Sequence, residues 1–209
     1  MSDLSKKIKA AGIKLVKPTW VTRPELLLLP NVPKPLHQIN PRTVLGARWW
    51  NETRQAAYRS TQYHCLACGV WKHEARGKPQ LEGHEVYRLD YAKGRAYYVE
   101  TVPVCPYCHG YIHDGRLRAM MEQGNITQSH YVAVIQHGDR VLREAGLKRL
   151  TYNERDNSVR NNKLAEWKNW RLIINVLVDG KRVHRSVKPK FKDFEDWQKA
   201  MQDDHRQDS

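Results

Sequence analysis

All four cysteines of the chain fall into two Cys-x-x-Cys pairs, Cys65/Cys68 and Cys105/Cys108. Two intervening residues let one turn of backbone present both thiolates to the same ion. Two such pairs complete the tetrahedral set that zinc takes at about 2.3 Å. Gly69, directly after the first pair, suits the tight turn of such a knuckle. The competing chemistry is a pair of disulfides, which belongs to exported proteins. The first ten residues, MSDLSKKIKA, carry lysines with no apolar run behind them, so no secretory signal is expected. The expectation is therefore a structural Zn2+ on Cys65, Cys68, Cys105 and Cys108. Four thiolates leave no open coordination position, so this ion would hold structure rather than do chemistry.

A second set of ligand types lies beside the first. The chain reads Leu81-Glu82-Gly83-His84-Glu85-Val86, and later Cys105-Pro106-Tyr107-Cys108-His109-Gly110-Tyr111-Ile112-His113. His109 and His113 are four apart, which on a helix puts both imidazoles on one face. Cys108 and His109 diverge by about 100° around that helix. One can serve the cysteine cluster while the other faces a neighbouring strand. His84 on that strand would be the third ligand of a divalent cation (Mg2+, Mn2+ or Zn2+), with positions left open for a phosphate oxygen and water. A single histidine is usually just a satisfied polar residue. Three framed by the cysteine pairs are hard to read as chance. Other metal chemistries fail on spacing. A zincin needs His-Glu-x-x-His, but the chain reads His84-Glu85-Val86-Tyr87-Arg88. A zinc deaminase needs His-x-Glu and Pro-Cys-x-x-Cys, but Glu85 follows His84 directly and Val104 separates Pro103 from Cys105.

These residues need elements to position them. Residues 1–17 alternate lysine with apolar residues and suit a short helix or an arm. Residues 18–41 hold six of the ten prolines and read as extended or wrapping chain, with the Leu26–Leu29 run packed onto the body. Asn40-Pro41 starts a helix that runs to about Ser60. A hairpin spans Leu81–Tyr91 and Arg95–Val102 around Ala92-Lys93-Gly94, and Pro103 is expected to end its second strand. Cys105 to about Met121 reads as one helix. Thr127 to about Ala145 reads as another, despite Gly138 inside it. Residues 148–163 suit a loop. Arg171–Val178 and Lys181–Val187 flank Asp179-Gly180, a two-residue hairpin signal, and a last helix covers about Phe194–Asp204. The first strand of that hairpin is apolar on both faces, so cover on both sides is expected. Trp167, Trp170 and Trp197 are expected to pack the hairpin against the last helix. The fold class is α+β. Three parts are expected: a basic, Pro-rich arm at 1–41, a core with its preceding helix at 42–126, and a basic helical and hairpin extension at 127–209.

Charge points to the partner. The chain has 209 residues, 28% of them charged, and a net charge of +14. Residues 1–64 carry 11 basic against 3 acidic side chains, 65–126 carry 8 against 7, and 127–192 carry 15 against 6. A nearly neutral centre between basic flanks fits a chemical site held between phosphate-gripping arms. Arg48, Arg54 and Arg59 on the first helix, Arg116 and Arg118 past His113, and Lys181, Arg182 and Arg185 on the C-terminal hairpin are the candidate DNA contacts. The longest aliphatic run is Leu26–Leu29, too short for the roughly 20 residues of a membrane span. The expected location is the cytoplasm, that of a host cell if the chain is phage-encoded. No obligate protein partner is evident.

Over Cys65 to His113, about a quarter of the chain, the pattern resembles the HNH endonucleases, the ββα-metal or His-Me finger group. The resemblance implies a hairpin-plus-helix site that holds one divalent ion and hydrolyses phosphodiesters, as an endonuclease or nickase of mobile-element or phage type. His84 falls on the family's first ligand position, and His109 and His113 on its helix ligands. Where the family has its general-base histidine this chain has Glu85. Where it has the asparagine that orients that base, the chain has Glu100. The catalytic candidates are thus His84, Glu85 and Glu100, with Glu85 as base. In the alternative, His84 is the base and Glu85, Glu100 or Asp90 is among the ligands. A further alternative is a zinc-stapled module, or a degenerate nuclease, that binds nucleic acid without cutting.

Overall fold

The computed structural model describes residues 19–150 and 164–207. The arm expected at 1–17 and most of the loop expected at 148–163 lie outside them. The fold is mixed α+β, with four strands in one sheet and five α-helices among the described residues. None of these helices is long and apolar enough to cross a membrane.

The first helix, α1 (Pro41–Ser60), starts where its cap residues dictate. The Asn40 side chain accepts from the Thr43 N–H, and the Asn40 N–H donates to the Thr43 hydroxyl. This reciprocal box satisfies two donors that the helix start leaves open. The helix is broken near its beginning at Gly46, whose φ of 87° and ψ of 168° suit no residue with a β-carbon.

Strands β1 (Glu82–Asp90) and β2 (Arg95–Val104) pair antiparallel, as do β3 (Arg171–Val178) and β4 (Lys181–Val187). The β3–β4 turn is Asp179-Gly180, both at positive φ. The two hairpins share one sheet of order β1-β2-β3-β4, joined by a short parallel seam of Arg95–Tyr97 with Arg171–Ile173. Pro103 does not end β2, which continues to Val104. At Pro103 the strand has left β3 behind, so a residue without an N–H is tolerated there. Its carbonyl instead accepts from Leu66 N–H at 2.8 Å, tying the first cysteine loop to the sheet. Val99 is an extra residue in β2: Val86 pairs with Glu100, and Tyr87 with Tyr98.

The single helix expected after Cys105 is two. α2 (Pro106–Ile112) and α3 (Asp114–Glu122) meet at His113, at φ −99° and ψ 43°. The break gives buried Asp114 a place in the first turn of a new helix, where the backbone dipoles favour a carboxylate. α4 (Gln128–Glu144) starts behind Thr127, whose hydroxyl accepts from His130 N–H. Gly138 belongs inside this helix because α2 crosses there. A β-carbon at Gly138 would stand 2.1 Å from Cδ2 of Tyr111.

Two apolar clusters hold these layers together. One gathers Leu26 and Leu27, Val86, Val102 and Val104, with α2 and α4 packed over them. The leucine run does pack onto the body. The other joins Leu36, Tyr91, Ala96, Trp170, Leu172 and Ile174. β3 is covered on one face only. Leu172 and Ile174 are buried, but Leu177 is 65% exposed, so the expected cover on both sides is not observed among the described residues. The tryptophans meet the expectation only in part: the Trp167 ring stands edge-on to Phe194 of the last helix, with centroids 6.5 Å apart. Trp170 lies in the second cluster, and the Trp167 indole donates to the Phe191 carbonyl. Trp197, on α5 (Phe194–Gln207), docks on the proline-rich stretch rather than the hairpin. Lys34 lies over the rings of both Phe194 and Trp197.

Two predictions follow from this packing. Gly138→Ala should cost about 3 kcal/mol, because the Tyr111 ring has no open side to move into, and urea unfolding reads that loss. The α5 dock is sensitive to acid. Trp197 Nε1 donates to His37 Nδ1 at 3.1 Å, and His37 Nε2 lies 3.0 Å from the Val32 carbonyl. The ring is therefore neutral, with its proton on Nε2. Burial, with Lys34 nearby, lowers the pKa of His37 despite its bond to Val32. The unfolded chain binds a proton near pH 6.5, where the folded chain does not. This stabilisation is full above about pH 6.5 and declines as the pH falls below it. Thermal unfolding followed from pH 7.5 to 5.5 should show a falling Tm, with a shallower fall in His37→Gln.

Candidate functional site

The first cysteine pair sits in a knuckle closed by Gly69 N–H to the Cys65 carbonyl, 2.8 Å, and by Cys65 N–H to the Val70 carbonyl, 2.9 Å. The second pair straddles the start of α2, where Cys105 is the cap and its sulfur accepts from Cys108 N–H at 3.4 Å. All four cysteines are free thiols, and their sulfurs lie within 4.8 Å of one another. Cys68 and Cys105 sulfurs are 3.8 Å apart. A tetrahedron of Zn–S bonds near 2.3 Å has an edge of about 3.8 Å. The sulfurs of the four cysteines thus fit a structural metal such as zinc. The thiols do not keep four protons comfortably. Hydrogen bonds from Cys108, Cys65 and Cys68 pull Cys105 well below the usual thiol range, while bonding to Cys105 pushes Cys108 well above it.

The second group is His84, His109 and His113, each offering a nitrogen within 4.8 Å of the others. Ring centroids are 5.4 Å apart for His84–His109, 5.0 Å for His84–His113 and 4.8 Å for His109–His113. Strand alternation turns His84 from β1 toward α2. Although α2 ends at Ile112, His113 N–H still bonds the His109 carbonyl, so the one-turn spacing of the pair survives the break. His84 is 6% exposed, and its Nδ1 is buried without a hydrogen-bond partner among the described residues. Burial, then the neighbouring His113 and His109, lower its pKa far below the usual imidazole range. A neutral, desolvated ring nitrogen beside two other imidazoles fits a metal ligand.

Glu82 is a functional residue outside the expected site set. Its carboxylate takes the Nδ1–H of His109 in a short hydrogen bond, and this bond lowers the Glu82 pKa. Holding Nδ1–H leaves Nε2 of His109 with the free lone pair. The signal was present: Glu82 and His84 are two apart on a strand and so share a face. His137 was also missed. It lies 3.4 Å from the Cys108 sulfur, with 28 residues between them in the chain, and no local pattern announces it.

The carboxylates suggested for catalysis do not join the histidine group. Glu85 follows His84 and so turns to the opposite face of β1, paired with Thr101. Burial raises its pKa, against the pull of nearby His109 and Arg42. Glu100 sits beside the Val99 bulge, where Arg23 Nη1 holds its Oε1 at 2.6 Å. Asp90 lies six residues along β1 from His84, about 20 Å away, and accepts from Lys93 N–H in the hairpin turn.

Arg59, Arg116, Arg118, Lys181, Arg182 and Arg185 are exposed. Arg48 is exposed but pairs with Glu52 and reaches Asp179 in the β3–β4 turn. Arg54 is half-buried, bonds Asn51 and lies against β1 at Gly83. No protein-family model, curated protein or solved structure matches the chain.

The cysteine cluster makes a direct prediction. Cys105→Ser should lose one equivalent of bound metal by elemental analysis. Its Tm should fall by more than about 10 °C, the scale of losing a structural metal from a chain this size.

Proposed function

We propose that the chain is a metal-dependent DNA endonuclease or nickase of the HNH type. The observation that carries this reading is the convergence of His84, His109 and His113 between a β-hairpin and the helix after it, with an unpartnered buried nitrogen on His84. The resemblance of the sequence to the HNH family over Cys65–His113 points the same way.

In this reading the three histidines hold one divalent cation. When bound, the ion supplies charge stabilisation to a phosphodiester and its leaving oxygen. Glu82 fixes the ring of His109 so that its lone pair points inward. Glu85 lies on the opposite face of β1 from the histidines, so the proton of the attacking water is not assigned to it. Glu100 is paired with Arg23 and stands outside the histidine group. Of the alternative ligands for a His84-base mechanism, Asp90 is too far along the strand. Arg116 and Arg118, exposed on α3 just beyond His113, are the nearest candidates in the chain for gripping phosphates. A second reading, a zinc-stapled module that binds nucleic acid without cutting, draws support from the absence of Glu85 and Glu100 from the histidine group.

Plasmid incubated with Mg2+ or Mn2+, and again with chelator, separates the two. Metal-dependent nicking is expected. His113→Ala should abolish it while leaving the fold and cysteine-bound metal intact, and Glu82→Gln should weaken Mn2+ binding by roughly 10–100-fold. Salt-sensitive DNA binding without metal-dependent nicking would support the module, and undiminished nicking by His113→Ala would reject the ligand set.

A further inference from the structure

His137 on α4 is 8% exposed, and its environment is specific. Its Nε2 lies 3.4 Å from the Cys108 sulfur and 4.0 Å from the Cys105 sulfur. It is nevertheless outside the ligand group: among the described residues, the set at these sulfurs that lies mutually within 4.8 Å is Cys65, Cys68, Cys105 and Cys108. On the far side of the ring, Arg140 Nη2 lies 3.3 Å from Nδ1. A guanidinium has donors and no acceptor. Nδ1 must therefore accept, and the ring's single proton belongs on Nε2, aimed at sulfur. Tyr107 stands edge-on to the same ring, with centroids 5.7 Å apart, and limits its rotation.

We infer that His137 is the outer-sphere hydrogen-bond donor of the cysteine metal site, with Arg140 locking it in the donating tautomer. A divalent ion with four thiolates carries two excess negative charges, and burial makes them costly unless donors face the sulfurs. Cys108 N–H already serves the Cys105 sulfur. His137 serves Cys108, and Arg140 places its positive charge one group behind. The arrangement also makes α4 part of the metal site. α4 is thereby anchored to a cluster that the cysteines alone would place between the knuckle and α2. A cavity of about 240 Å³ beside the sulfurs is lined by Cys68, Cys105, Tyr107, His137, Arg140 and Glu144, among others.

The test uses the full chain and does not read DNA cleavage, so it stands apart from the nuclease reading. Cobalt is substituted for zinc, and the sulfur-to-metal charge-transfer bands are recorded. Separately, zinc release to 4-(2-pyridylazo)resorcinol is timed. His137→Ala should shift the bands to lower energy, because a thiolate without its donor gives up charge more readily, and should speed release by roughly ten-fold. His137→Gln, whose amide N–H reaches the same place, should restore both, and Arg140→Met should fall between. If His137→Ala does not fold, Arg140→Met against His137→Gln carries the comparison. Unchanged bands and rates would overturn the inference. So would loss of the tetrahedral cobalt spectrum in His137→Ala, which would make His137 a ligand. A wild-type protein without stoichiometric metal overturns it at the first step.

Discussion

Four sulfurs within 4.8 Å of one another are the constraint on which the rest of this structure depends. They join a knuckle after α1 to the first turn of α2, across 37 residues for the Cys68–Cys105 contact. Those intervening residues include β1 and β2. The clamp thus fixes both ends of the hairpin segment at once. Leu66 in the knuckle donates to Pro103 in β2, and Arg23 N–H donates to the Leu66 carbonyl, so the proline-rich stretch is pinned to the same loop. Without a cation, four thiols at this spacing must share protons unevenly. A divalent ion removes that conflict by replacing them.

The clamp positions the histidines by simple geometry. Cys108 and His109 are neighbours, yet they face different partners because a helix turns by about 100° per residue. Cys108 meets the sulfurs and His109 meets β1. On the strand the period is two, so Glu82 and His84 look toward α2 while Glu85 looks toward α1. The sequence Glu82-Gly83-His84-Glu85 therefore divides its side chains between two environments. One holds three imidazoles and a carboxylate that orients one of them. The other buries Glu85 near Arg42. Gly83 between them lets α1 approach closely, with Trp50 packed on the strand.

Much of this was legible in the sequence because it is local or periodic. Cysteine spacing, the i, i+4 histidines, the Asn40-Pro41 start and the Asp179-Gly180 turn all encode structure within a few residues. The contacts that the sequence hid are long-range. The parallel seam between β2 and β3 involves three residues on each strand and leaves no alternation of its own. Gly138 looked like a weak point in a helix because the crossing of Tyr111 cannot be seen from α4 alone. Trp197 has the composition of a core residue, but its partner His37 lies 160 positions away. Glu82 is readable by strand parity, since it shares a face of β1 with His84 two residues later.

The two candidate centres differ in a way that follows from donor chemistry. The cysteine group is soft, complete and backed by hydrogen bonds, and zinc saturates with four such ligands. The histidine group offers three ring nitrogens, which would leave a divalent ion short of its preferred coordination and open to an incoming oxygen. Their proximity is enforced, since Cys108 and His109 are consecutive residues of one short helix. A displacement of α2 large enough to empty one centre would also misplace the ligands of the other. Were the histidines to hold an ion, the cysteine centre would act on them through rigidity, by denying α2 the freedom to turn His109 and His113 away from His84.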